Sequence, residues 1–349
     1  MTALRPASAE EAAAALAEAT AARATVRLAG GGTRSRAGLP RLADRTLSTA
    51  GLRRVVAHEP ADLTATVEAG LPALELAALL ADRGQCWPQA DLRPGSTVGG
   101  VLAAAASGRG RLRHGPVRDS LLEVVLATGD GRLVKAGGRT VKGVAGYDIP
   151  RLAVGARGTL GLIVQVTLKL WPLPPARGWF AAEGPLAARW ELAAGALRGD
   201  LLPAAVVLTP GAVHVELAGP SEDVVAPAGM TPAEAPPAPA WPGTALAGVH
   251  PPALARALEA LERAGLPYEA LAGVGVIRVG VEDAAALARV RSIARDAGGH
   301  AVVEDGPDEL RADPWGPPPA GLEAMRRLRA AFDPAGILNP GDFIGEMAA

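Results

Sequence analysis

Apolar residues recur along this chain in two rhythms, one helical and one alternating, and glycine-rich breaks separate them. Ser8, with Glu11 three residues on, opens an Ala- and Leu-rich run and reads as a capping box, predicting a helix to about Arg23. Thr25, Val26, Arg27, Leu28 and Ala29 then form a short strand run that ends in Gly30, Gly31, Gly32, Thr33, Arg34 and Ser35. Strand candidates follow at 46–49, 53–58 and 63–68. A helix over 72–83 starts at Pro72 and stops at Gly84. A second glycine loop (Pro94, Gly95, Ser96, Thr97, Val98, Gly99, Gly100) runs into a small-residue helical stretch over 101–106. Residues 121–128 and 132–135, joined by Gly129, Asp130 and Gly131, form a predicted hairpin. A long strand over 162–170 is stopped by Pro172 and Pro174.

Those prolines set a predicted domain boundary near residue 175. Beyond it come a helix over 186–197, strands at 205–208 and 213–217, and a Pro/Ala-rich stretch over 220–242. With seven prolines in 23 residues, that stretch reads as an extended surface loop or linker. A helix (252–264), a strand (275–281), a helix (284–297), a strand (300–304) and a closing helix (322–332) complete the pattern. The class is α+β, divided as 1–175, 176–315 and 316–349.

Composition narrows the chemistry. Lys and Arg total 35 against 36 Asp and Glu, so the formal net charge is -1, and there is no basic footprint for nucleic acid. The single cysteine, Cys86, can form no internal disulfide and cannot by itself ligate an iron-sulfur cluster or a structural zinc. Any cluster chemistry must therefore sit on another chain. No run approaches the roughly 20 apolar residues that span a bilayer, and the expectation is a soluble, cytoplasmic protein. Aromatic residues are only 3%, so Leu, Val, Ile and Ala must build the cores.

A nucleotide diphosphate needs several N–H donors converging with no side chain in the way, which glycine provides. Both glycine loops offer this, and both also read as plain turns. No helix-forming run follows the first, so it is not a dinucleotide fingerprint of the Rossmann kind. The second adds the Thr97 hydroxyl and feeds a helix start that favours an anion.

The ordered set of motifs is more specific than any one of them. Gly30 to Thr33, then Val67-Glu68-Ala69-Gly70, the second loop, Arg113-His114-Gly115, Gly146-Tyr147-Asp148, Gly158-Thr159-Leu160-Gly161 and the terminal Asp333-Pro334 with Asn339-Pro340-Gly341 resemble the vanillyl-alcohol-oxidase (PCMH-type) FAD-binding family. The resemblance implies a two-subdomain FAD-binding domain over 1–175, a shortened α/β cap over 176–315 and a C-terminal segment over 316–349 that returns to the first domain. It implies non-covalent FAD, since Arg34 and Ser35 stand where covalent members carry an attachment residue. Gly30, Gly31, Gly32, Thr33, Arg34 and Ser35 would hold the diphosphate, with Pro94, Gly95, Ser96, Thr97, Gly99 and Gly100 on its other side. Ser107 and Gly108 replace the family's usual Asn-Ala-Gly-Gly near the flavin. Gly161 and Ile163 would present backbone to the adenine end, Tyr147 and Asp148 would pack near the cofactor with Gly146, and Asn339 would return the tail to the site.

The wording of 142–148 is most like the FAD-binding subunits of multi-chain oxidases of glycolate and other 2-hydroxy acids. That likeness implies a second FAD-linked subunit and an iron-sulfur subunit as partners, a small 2-hydroxy acid as substrate and, at most, peripheral membrane contact through partners. A stand-alone D-lactate or 2-hydroxy acid dehydrogenase and a non-catalytic assembly subunit are the alternatives. Oxidising such an acid takes a proton acceptor and a cation for the carboxylate. The five histidines, His58, His114, His214, His250 and His300, show no local metal-ligand pair, and no residue is singled out as catalytic. His114 reads as a surface or supporting residue or as a cofactor neighbour. Arg109, Arg111, Arg113 and Arg118 read as solvated loop cations or as counter-charges for the diphosphate.

Overall fold

Around the first glycine loop, strands Val26–Ala29 and Arg45–Ser48 pair in parallel. The computed structural model describes residues 3–34, 43–138, 147–200 and 202–344. Helix Ala9–Ala21 packs beside this pair; Ser8 Oγ accepts from Glu11 N at 3.1 Å, while Glu11 Oε2 accepts from Ala7 N at 2.7 Å. The reciprocal cap is therefore formed, with the carboxylate one residue further back than in the standard box. The chain terminus docks on the same pair: Val26 N donates to Ile337 O and Asn339 N donates to Val26 O. Buried Asp333 fixes that turn by accepting from Ile337 N and Leu338 N.

A five-stranded antiparallel sheet follows, in the spatial order Val55–Glu59, Thr64–Glu68, Leu162–Lys169, Leu121–Ala127, Leu133–Gly137. The expected hairpin occupies one edge. Helices Ala73–Ala81 and Val98–Ala103 cover the sheet, contributing Leu76, Leu80, Val101 and Leu102 to one core with Val67, Val124 and Val166.

The larger sheet has eight antiparallel strands, in the order Thr231–Ala233, Ala176–Glu183, Ala212–Gly219, Ala205–Thr209, Tyr268–Leu271, Val276–Val281, Gly243–Gly248, His300–Asp305. Helix Leu254–Arg263 buries Leu254, Ala257, Leu258 and Leu261, one stripe of a 3.6-residue period. Three of these strands, Ala176–Glu183, Gly243–Gly248 and Tyr268–Leu271, lie outside the sequence pattern; Gly243–Gly248 alternates in burial, but its small residues hide this in the sequence. Tyr268–Leu271 is buried at every position, so no polar face alternates with an apolar one. The Pro/Ala-rich stretch is not wholly a free loop: Thr231–Ala233 adds an edge strand to the sheet and Met230 is buried. Proline is tolerated there because an edge leaves its missing donor unpaired.

A cation lies inside this second core. Arg189 is 2% exposed and donates to Gly184 O, Thr209 O, Tyr268 Oη and Glu262 Oε1. Each of its guanidinium nitrogens has an acceptor, which is what a structural buried charge requires.

Candidate cofactor and substrate site

The two glycine loops lie against each other. A Cβ built on Gly31 would sit 1.7 Å from Gly95 O, and one on Gly30 would sit 2.7 Å from Thr97 Oγ1. Only residues without side chains allow that approach. Thr97, in extended conformation, accepts from Gly100 N at 3.2 Å and so starts helix Val98–Ala103. Gly99 lets the helix close on Ala69, whose Cβ would lie 2.7 Å from an added methyl. The Ser96 hydroxyl is spent inside the loop, donating to Arg93 O and accepting from Arg93 N.

Two buried cations adjoin the loops. The Arg34 side chain is 7% exposed; its Nη2 pairs with Asp91 at 3.1 Å, while Nε and Nη1 are buried without a partner among the described residues. Arg157 donates from Nη2 to Arg34 O at 3.0 Å and lies over the Trp315 ring, and its Nε is likewise without a partner. Burial lowers the pKa of both guanidiniums, and the nearby carboxylates, Asp91 for Arg34 and Asp342 for Arg157, offset this only in part. Orphaned cationic donors beside a side-chain-free cradle suit an anionic, elongated group such as a dinucleotide diphosphate.

Beyond the loops a cavity of about 1410 Å³ opens between the five-stranded region and the face of the large sheet. It reaches the second loop at Pro94, and none of the described residues of the first loop lines it. Four of the chain's six tryptophans, Trp87, Trp171, Trp179 and Trp241, line it. A chain so poor in aromatics has thus concentrated its planar side chains where a flat ring could stack. Its polar wall is a network of ion pairs. Glu269 and Arg278 face each other across adjacent strands, and Arg278 also binds Glu304 at 3.0 Å and Asp91 at 3.3 Å. Arg109 crosses from the other side to Glu269 at 2.5 Å, and Arg93 bridges Asp91 and Glu304. Burial alone would lower the pKa of Arg278, but Glu304, Asp91 and Glu269 outweigh it and hold the charge.

His114 ends the short helix Arg111–His114 and lines the cavity, its ring 4.6 Å from Trp171 in an edge-on contact. Nδ1 is buried without a partner among the described residues. Burial, reinforced by Arg113 and Arg177, lowers its pKa to about 4, so the imidazole is neutral at neutral pH.

The structure brings together Gly30, Gly31, Gly32, Thr33 and Arg34 with Pro94, Gly95, Ser96, Thr97, Gly99 and Gly100, and sets Gly108 and His114 at the cavity. Ser107 is turned to the chain itself, accepting from Val117 N at 3.0 Å. Asn339 acts as a clamp: its Oδ1 accepts from Leu28 N at 2.7 Å and its Nδ2 donates to Arg157 O at 2.6 Å. Gly161, with φ +146°, lets the chain pass Ala127 O closely, and Ile163 lies in the sheet core opposite Leu126. Tyr147 and Asp148 are not at the cavity: Tyr147 is 92% exposed, and Asp148 caps helix Ile149–Ala153 and pairs with Arg151. Ser35 and Gly146 lie outside the described residues. Arg109 is neither a solvated loop cation nor free for a diphosphate, because Glu269 holds it. Sequence reasoning missed Asp91, Glu269, Arg278, Glu304 and the tryptophans. The available signal was a charge interrupting an apolar strand run, as Arg278 does in Val276–Val281.

Facing glycine loops on an α+β frame, a cationic pair beside them and an aromatic-lined cavity make a site suited to a dinucleotide such as FAD. Residues 2–137 match the family described as FAD binding domain, and residues 317–343 match FAD linked oxidases, C-terminal domain. The whole chain superposes on alkyldihydroxyacetonephosphate synthase with TM-score 0.68 and 17% identity, covering 96% of this chain and 75% of that one, a likeness of fold. More particularly, it is 29% identical over 341 residues to glycolate oxidase subunit GlcE of Escherichia coli (strain K12), spanning 90% of this chain and 92% of that protein. It is also 37% identical over 123 residues to the mitochondrial D-lactate dehydrogenase (cytochrome) of Arabidopsis thaliana, covering 35% of this chain and 22% of that protein.

Proposed function

We propose that this chain is the FAD-binding subunit of a multi-chain FAD-dependent oxidoreductase that oxidises glycolate or a close 2-hydroxy acid. The observation that carries this reading is the near end-to-end match to GlcE, against the partial match to the D-lactate dehydrogenase. Bound FAD would supply the two-electron acceptor for the substrate's α-carbon. Residues 30–34 and 94–100 would hold its diphosphate through backbone donors, with Arg34 and Arg157 balancing the charge. The tryptophan-lined cavity would take the flat ring and the acid. His114, neutral at neutral pH, would hold an open lone pair toward a hydroxyl proton. A lone cysteine gives this chain no means of holding an iron-sulfur cluster by itself, so onward electron transfer falls to partner chains, a second FAD-linked subunit and an iron-sulfur subunit. Among the described residues no helix is long and apolar enough to cross a membrane, and membrane contact would come through those partners.

The test is flavin counting on the purified chain, followed by reconstitution. About one FAD per chain and glycolate-dependent dye reduction that requires the partner chains are expected; a colourless protein overturns the reading. A second reading, an assembly subunit that keeps the fold without turnover, is favoured by the ion pairing of the cavity wall. It predicts that a flavin-free Gly31→Val chain still restores full activity to the complex.

A further inference from the structure

Charge pairing in the cavity points to one cation with capacity to spare. Among the described residues five guanidiniums line it: those of Arg93, Arg109, Arg113, Arg177 and Arg278. Arg93 and Arg278 are tied to Asp91 and Glu304, Arg109 to Glu269, and Arg177 to Glu216 at 2.5 Å. Each of those charges is already cancelled, and an anion entering the cavity gains little from them. Arg113 differs. Its Nη1 donates only to the backbone oxygens of Ala218, at 2.5 Å, and Leu202, at 3.5 Å. No carboxylate pairs with it among the described residues, and Nε and Nη2 make no hydrogen bond there. The Nη1 bonds fix the guanidinium at the cavity wall while the Nε–Nη2 edge stays available, the edge that takes a carboxylate with two parallel bonds. The next residue, His114, lines the same cavity and is held by Gln89 Nε2 donating to His114 O at 3.3 Å.

We propose that Arg113 anchors the carboxylate of a small 2-hydroxy acid in this cavity and that His114 accepts a hydrogen bond from its hydroxyl. The assignment rests on the hydroxy-acid reading above and adds the residues that select the substrate. It would let a cavity whose charges are otherwise balanced select a monoanion: one cation unpaired among the described residues suits one carboxylate, and an adjacent neutral imidazole separates a hydroxy acid from a plain one. A site built to accept a hydrogen bond from a hydroxyl rejects the analogue lacking it more strongly than an apolar pocket would.

The experiment is titration calorimetry of the purified full chain, with and without FAD, using glycolate and acetate. Wild type is expected to bind glycolate more tightly than acetate. Arg113→Gln should weaken both acids at least tenfold, and Arg113→Lys should recover part of the loss as a point charge without the fork. His114→Phe should leave acetate unchanged and bring glycolate down to the acetate level. Arg118→Gln, an exposed arginine outside the cavity, should bind as wild type does. Arg113→Gln binding with wild-type affinity, or a wild-type chain that binds neither acid, overturns the assignment. Flavin stoichiometry on the same samples judges the FAD reading separately, so a yellow protein indifferent to Arg113→Gln sinks only the anchor.

Discussion

Two buried arginines separate the two halves of this molecule. Arg189, under the large sheet, is saturated: two carbonyls, a phenol and a carboxylate take its donors. Arg34, beside the glycine loops, is nearly as buried, yet two of its nitrogens have no acceptor among the described residues. Burying an unsatisfied polar group costs about 1–3 kcal/mol, more when it is charged. Such a group calls for an explanation, and a ligand is one. The saturated cation belongs to the structure, and the unsaturated one is the cation we propose meets the FAD diphosphate.

The difference can be broken in several ways. The largest effect should come from Gly31→Val, since any Cβ there would overlap Gly95 O and the loops would have to part. The flavin-to-protein ratio is expected to fall at least tenfold while circular dichroism stays that of a folded chain. Exchanging the fates of the two arginines is next. Arg189→Met should cost about 3 kcal/mol in urea unfolding, because it leaves Glu262 with the Tyr268 hydroxyl but no cation and takes a donor from two backbone carbonyls, and should leave FAD affinity alone. Arg34→Gln should do the reverse, weakening FAD about tenfold with little loss of stability, since Asp91 keeps Arg93 and Arg278. Equal effects of the two on stability would erase the distinction.

Asn339→Ala tests whether the tail clamp supports the loops. Losing both of its hydrogen bonds should cost about 1–3 kcal/mol by urea unfolding and release part of the FAD. The smallest effect is in pH. The folded pKa of His114, about 4, lies below the ordinary 6.5, so the unfolded chain takes up a proton first as pH falls. The stability this neutral ring contributes is whole above about 6.5 and is lost between 6.5 and 4. His114→Phe should flatten that part of the stability profile, measured by urea midpoints across the window.

Legibility followed the range of the interaction. The helix cap at Ser8, the hairpin turn at 129–131 and the two glycine loops each declare themselves within a few residues, because backbone conformation and local donors decide them. Asn339 was legible as a motif but not in its role, since its partners, Leu28 and Arg157, lie far back in the chain. Tyr147 was drawn toward the cofactor by its motif, while the fold leaves it in solvent. The ion network was not legible: Arg109 and Glu269 are 160 residues apart, and nothing local to either says they will meet.

By itself, the sequence determined where the backbone turns, where it must be bare of side chains and that no cluster could be held on its single cysteine, because those properties are carried by residue types and short spacings. Only the tertiary structure decided which charges would cancel, which tryptophans would share a cavity and which arginine would be left with capacity to spare. Such outcomes depend on strands from distant parts of the chain meeting in register, and the energy of a buried charge is set by neighbours that sequence distance does not name.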